Sequence, residues 1–230
     1  MISLRAALAN IHNDRQWWQK MLIGGALLLT VVGYPWVAGL VLESLDNIRR
    51  GFPTPLPPWR DWSARYITGI FAALIDFVFF LLPLLISAVL LFCVAVVFLV
   101  SNAATGWLWL VGVALLLYEL AMFAVGVAPV ARLIYVEQGS AEEALSMLSL
   151  RAALRPGARR VYARARLLSL PAYLPALLLL ALAVLAARSG MGGAGLAVLL
   201  LLWLAASALL YAHLVVVQLY GAAEREARYL

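Results

Sequence analysis

Apolar residues run along this chain in blocks of about 20 or more, rather than recurring at every third and fourth position or at every second. A helix packed on a soluble core and a half-buried strand both lack that pattern; a segment surrounded by lipid has it. In lipid every backbone N–H and C=O must be satisfied within a helix or a closed barrel, and no ten-residue alternating segments of the kind a barrel uses are present. The pattern therefore predicts an all-α, polytopic helical membrane protein forming one membrane domain over 1–230, multi-pass in the cell membrane.

Residues 1–20 form a polar lead ending in Trp17-Trp18-Gln19-Lys20, suited to the headgroup layer. The N-terminal spans occupy 21–128. Their first stretch, Met21 to Leu42, is long enough to cross but holds Gly24, Gly25, Gly33, Pro35 and Gly39, so it either spans or dips in and returns as a broken helix. A short helix with Leu42, Leu45 and Ile48 on one face should end at Gly51, before the stiff loop Phe52 to Trp62, with Asp61 or Ser63 as the next N-cap. Tyr66 to Val100 would measure about 52 Å as a helix, too long for one simple crossing of a core about 30 Å thick. Its one breaker, Pro83, has no polar turn around it, which favours one long helix whose first turns up to about Asp76 lie in the interface. After a turn at Ser101 to Gly106, Trp107 to Ala128 spans again.

Residues 129–166 carry seven arginines and two basic amphipathic helices. Ser140-Ala-Glu-Glu143 has capping-box spacing and starts the first, which should run to Leu154; Arg155-Pro156-Gly157 breaks it before the second. The C-terminal spans occupy 167–220, joined by a glycine-rich turn over 188–195, and Gly221 should stop the last helix before the tail at 221–230. Five spans result, or six if the chain turns at Pro83. Sliding the halves by 92 to 94 positions also brings Pro35 onto Pro129 and Pro83 onto Pro175, a weak internal duplication.

Composition agrees with the pattern: 66% of residues are hydrophobic and 12% charged, far from a soluble domain. The formal charge of +6 comes from arginines clustered in the polar stretches, which set orientation and attract anionic lipid. Five spans place thirteen basic residues in the cytoplasm and four outside, six spans twelve and five, so charge does not choose between them. Nucleic-acid binding is not expected of a basic chain embedded in a membrane.

Leu22-Ile23-Gly24-Gly25, Gly33-Tyr34, Leu56-Pro-Pro-Trp-Arg-Asp-Trp62, Gly69 and Leu82-Pro83, in that order, resemble the prokaryotic membrane family catalogued as domain of unknown function 4013. The resemblance implies a membrane architecture and no catalytic residues.

Three ionisable groups fall within apolar runs: Asp76, Glu119 and His213. Glu119 lies near mid-depth with no basic residue in its own span, and His213 could partner it; Asp76 would sit wet in the interface. One cysteine, Cys93, and two histidines fall short of a metal site, and the chain has no hydrolase or phosphate-loop signature, so no metal, cofactor or catalysis is expected. Arg159, Arg160, Arg164 and Arg166 are candidate contacts for anionic headgroups on the cytoplasmic face. These features favour a non-catalytic accessory, scaffold or membrane-organising component that contacts lipids and other subunits or itself. The alternative is a small transporter or channel using Glu119.

Overall fold

The computed structural model describes residues 2–100, 105–189 and 194–228, and all its regular elements are helices. In chain order these are α1 (Leu4–His12), α2 (Trp17–Leu28), α3 (Tyr34–Arg49), α4 (Trp62–Asp76), α5 (Leu82–Val100), α6 (Thr105–Val125), α7 (Val127–Gln138), α8 (Ala141–Leu145), α9 (Met147–Leu154), α10 (Ala158–Ser169), α11 (Leu174–Arg188) and α12 (Ala194–Ala227). Three continuous helical stretches are long and apolar enough to cross a membrane: Trp62–Val97, Ala158–Arg188 and Ala194–Ala227. Within α6, Trp109–Ala121 is a shorter apolar helix. The turns predicted at 101–106 and 188–195 include residues 101–104 and 190–193, which lie outside those described.

The long first apolar helix is continuous past Pro83, as its lack of a polar turn predicts. A proline has no N–H to donate and its ring collides with the carbonyl four residues back. The chain answers by widening into a π-turn over Phe77–Leu81, just before Leu82-Pro83. The second half repeats the device: α10 ends in a 3₁₀ turn over Leu170–Tyr173, and Leu174-Pro175 opens α11. Each half thus has a helix, an irregular turn, a proline and an apolar helix, followed by a return helix. The two resulting hairpins, α5 with α6 and α11 with α12, are joined at one end, where α10 and the 77–81 turn both touch α6.

That joining end is the base, which holds most of the core. Ile11, Leu40, Leu45, Val130, Leu214, Leu219 and Tyr220 are buried there as parts of one cluster drawn from α1, α3, α7 and α12. Close approach of helices is secured by glycines. Gly69 of α4 lies against the Pro35 carbonyl and the Gly39 amide of α3, where a methyl group would overlap backbone. Arg49 and Arg228 bridge Glu137 and Glu224 (2.7 to 3.4 Å), tying α3, α7 and the end of α12 together.

Met21 to Leu42, left open between a span and a returning segment, is broken at Leu29–Gly33 between α2 and α3. Its two ends meet. Lys20 Nζ donates to the Leu56 carbonyl (2.9 Å), and Trp59 Nε1 donates to the Lys20 carbonyl (3.3 Å). Arg65 donates to the Pro58 carbonyl (2.7 Å) and to Glu43 (2.6 Å), just beyond Leu42.

Local predictions are met at several points. Leu42, Leu45 and Ile48 share a buried face, α3 gives way to Gly51 at φ +78°, and the Ser140 hydroxyl accepts from the Glu143 amide (3.3 Å). Asp61 occupies the N-cap position of α4, though without a side-chain cap bond. Two expectations are corrected. The helix beginning at Ser140 does not run unbroken to Leu154, because Ser146 caps a new start by accepting from the Leu148 amide (3.1 Å). Gly221 does not stop α12, which continues to Ala227; the glycine instead lets Ile48 and Leu45 of α3 pack against the helix.

Candidate functional site

Where the two hairpins meet the base, a partly open cavity of about 380 Å³ lies between them. Phe80 and Tyr173, and likewise Phe123 and Val216, line it and stand 93 positions apart, within the 92 to 94 offset of the weak internal duplication. The recurrence extends to the irregular turns, because Phe80 belongs to the π-turn before Pro83 and Tyr173 to the 3₁₀ turn before Pro175.

The polar side of the cavity is built on Asp76, the last residue of α4. A terminal nitrogen of Arg132 pairs with its Oδ2, and the Tyr34 hydroxyl donates to the same oxygen (2.6 Å). Tyr34 is placed by the break before α3 and Arg132 by α7, so three elements converge on one carboxylate. The carboxylate can only accept, so the Tyr34 hydroxyl is the donor. Burial disfavours the charged form of Arg132, but Asp76 and Tyr34 more than offset it and the guanidinium stays charged. The Arg132 Nε is buried without a partner.

Arg166 enters from α10 and is also buried. Its Nε donates to the Phe123 carbonyl (3.1 Å), and its guanidinium stacks over the Phe123 ring at 4.3 Å and lies 5.5 Å from the Tyr220 ring. Among the described residues it has no carboxylate partner. Two arginines thus face one carboxylate, and the cavity carries a net positive charge. His213 of α12 completes the lining, its ring meeting that of Tyr173 edge to face at 6.1 Å. Gly126 separates α6 from α7 at φ +68°, and the Tyr220 hydroxyl rests against it, leaving no room for a side chain.

The three intramembrane candidates therefore divide. Asp76 and His213 share the cavity and Glu119 does not. Glu119 accepts a hydrogen bond from the Ser87 hydroxyl (3.2 Å) across the α5–α6 hairpin, so its partner is Ser87 rather than His213. Asp76 is not simply wet, being ion-paired within the protein. Of the four α10 arginines, Arg159, Arg160 and Arg164 are exposed, whereas Arg166 turns inward and does not join that outer face. Arg132 and Tyr34 were missed as site residues. Arg132 had a signal, as the one charge in the apolar run Val127 to Val136 directly after a span; Tyr34 had none beyond its place at the break. No group of metal-ligating side chains occurs among the described residues.

The family described as Protein of unknown function (DUF4013) matches residues 22–185. No curated protein and no solved structure matches the chain.

Proposed function

The chain belongs to that family, and from this premise we propose that it is a non-catalytic accessory or scaffold component of a membrane, with four crossings and a re-entrant first segment. The observation that carries the scaffold reading is the exposure of the first hairpin. In the most apolar stretch of Trp62–Val97 only 6% of residues are buried inside the chain, and Leu90, Phe92, Trp109 and Leu116 are all exposed. Lipid or a neighbouring protein has to cover that surface, and a chain that spends so little of its apolar helix on its own core has it free for assembly. Glu119, the group on which transport would turn, is engaged by Ser87 instead of facing the cavity.

The crossing count is supported by the 56–59 loop, which bonds Lys20 directly and is tied to Glu43 through Arg65, next to the two ends of Met21 to Leu42. With that segment re-entrant, sixteen of the seventeen basic residues lie at the base and only Arg188 lies toward the far end, a stronger bias than either five or six spans provides. The base is then cytoplasmic. A photo-crosslinking residue at Phe92 or Leu116 in living cells tests the scaffold role. Discrete adducts with a protein, a second copy included, are expected; adducts with lipid alone would overturn it.

A further inference from the structure

The cavity between the hairpins has a composition that neither a packing defect nor a scaffold requires. Part of its lining is apolar, Phe80, Leu209 and the Phe123 ring that also carries Arg166, and continues into helices exposed to the membrane. The other wall is cationic: Arg132 is matched by Asp76, while Arg166, 6% exposed, has no counter-ion among the described residues. A buried guanidinium without an anion is costly, and Arg132, although paired with Asp76, lines the same cavity. A ligand that satisfies both walls has an anionic head and an apolar chain.

We propose that this cavity is a binding site for an anionic amphiphile, with a phosphate-type head between Arg166 and Arg132 and a chain leaving past Phe80, Phe123 and Leu209 between the two hairpins. His213 and Tyr173 line the cavity beside the head and offer it hydrogen-bonding groups. Arginine suits the role because its planar fork matches phosphate oxygens in pairs, and its stacking on Phe123 holds it in place when the ligand leaves. The cavity is partly open between the two hairpins, which gives lateral entry from the bilayer. This site is separate from the outer arginines Arg159, Arg160 and Arg164, and it does not rest on the scaffold reading.

The test uses the full chain purified in mild detergent. Retention of phosphatidylglycerol is compared by native mass spectrometry with that of phosphatidylcholine of the same chains, and inorganic phosphate is assayed separately by thermal shift. Wild type should prefer phosphatidylglycerol by about tenfold or more, the scale of one charge-assisted contact. Arg166→Gln should abolish the preference, and the triple variant Arg159→Gln, Arg160→Gln, Arg164→Gln should keep it. Leu209→Trp fills the chain's path without altering charge, and should lower retention of phosphatidylglycerol even if Arg166→Gln folds poorly. Equal retention of the two lipids by wild type would overturn the proposal. So would a preference that survives both Arg166→Gln and Leu209→Trp, or one lost only in the triple variant. Inorganic phosphate stabilising the protein as much as the lipid does would assign the site to a free anion and also overturn it.

Discussion

Replacing Asp76 by Asn tests the electrostatics of the base most directly. The variant keeps the shape of the side chain and still offers Tyr34 an acceptor, but it removes the charge opposite Arg132, whose side chain is 8% exposed. Stripping one partner from a buried ion pair costs about 3–5 kcal/mol, because the other charge is left in a poorly polarisable site. The Asp76 side chain is itself 19% exposed and borders the cavity, so the lower end, about 3 kcal/mol, applies. At about 2–4 °C per kcal/mol for a chain of this size, the midpoint should fall by about 6–12 °C. The control replaces both charges, Asp76→Leu with Arg132→Met, together with Tyr34→Phe so that no hydroxyl is stranded. Apolar side chains of similar volume substitute for a buried pair at little net cost, so the triple variant should lie within about 1 kcal/mol of wild type. Unfolding of detergent-solubilised protein, followed by tryptophan fluorescence, reads both. A cost below about 1 kcal/mol for Asp76→Asn, or a triple variant no more stable than the single one, would refute this account of the pair.

Other outcomes follow from the same geometry. Glu119→Gln should be nearly neutral, whereas Glu119→Leu should leave the Ser87 hydroxyl without its partner at about 1–3 kcal/mol; a reproducible proton or cation flux in liposomes that Glu119→Gln removes would restore the transport alternative. Gly69→Ala should destabilise by about 1–3 kcal/mol despite the better helix propensity of alanine, because α3 and α4 must separate; a stabilised variant would show that the contact yields readily. In a Cys93→Ala background, single cysteines replacing Asn13, Thr54 and Gly139 should all react with an impermeant thiol reagent from the same side. Opposite labelling of positions 13 and 54 would restore a full crossing by Met21 to Leu42.

Long apolar runs are the most readable feature of such a chain, and the helices around Pro83 and Pro175 follow from them with little else. Faces are harder, because within an all-apolar helix no periodicity separates the side against protein from the side against lipid. Glu119 and Ser87 could be placed in depth but not in azimuth, so their contact was not visible. On α10 the information was present: Arg166 continues the buried stripe of Tyr162 and Ser169, while Arg159, Arg160 and Arg164 fall off it. Counting arginines as one basic face hid this. The break at Leu29–Gly33 was legible as a choice, since glycines and Pro35 weaken a helix without saying where the chain goes next. Contacts distant in sequence, from Lys20 to Leu56 and Trp59, decide it. Gly221 shows the converse, a residue that ends isolated helices but here is retained in one because α3 packs against it.

The hairpin plan also bears on how the chain enters a bilayer during synthesis. On the four-crossing reading each hairpin leaves the base and returns to it; in sequence, Ser101 to Thr105 carries no charge, and Arg188, the last residue of α11, is the one cation near the second connection. Insertion as two successive helical pairs would translocate only a handful of residues each time and carry a single arginine through, at about 2.3 kcal/mol per 100 mV of opposing potential. On the four-crossing reading proposed above, the long basic segment between the hairpins does not cross. Biogenesis can therefore proceed pair by pair, with the base assembling only after the second pair is in place, when α12 supplies the surface on which the N-terminal helices α1, α2 and α3 come to rest.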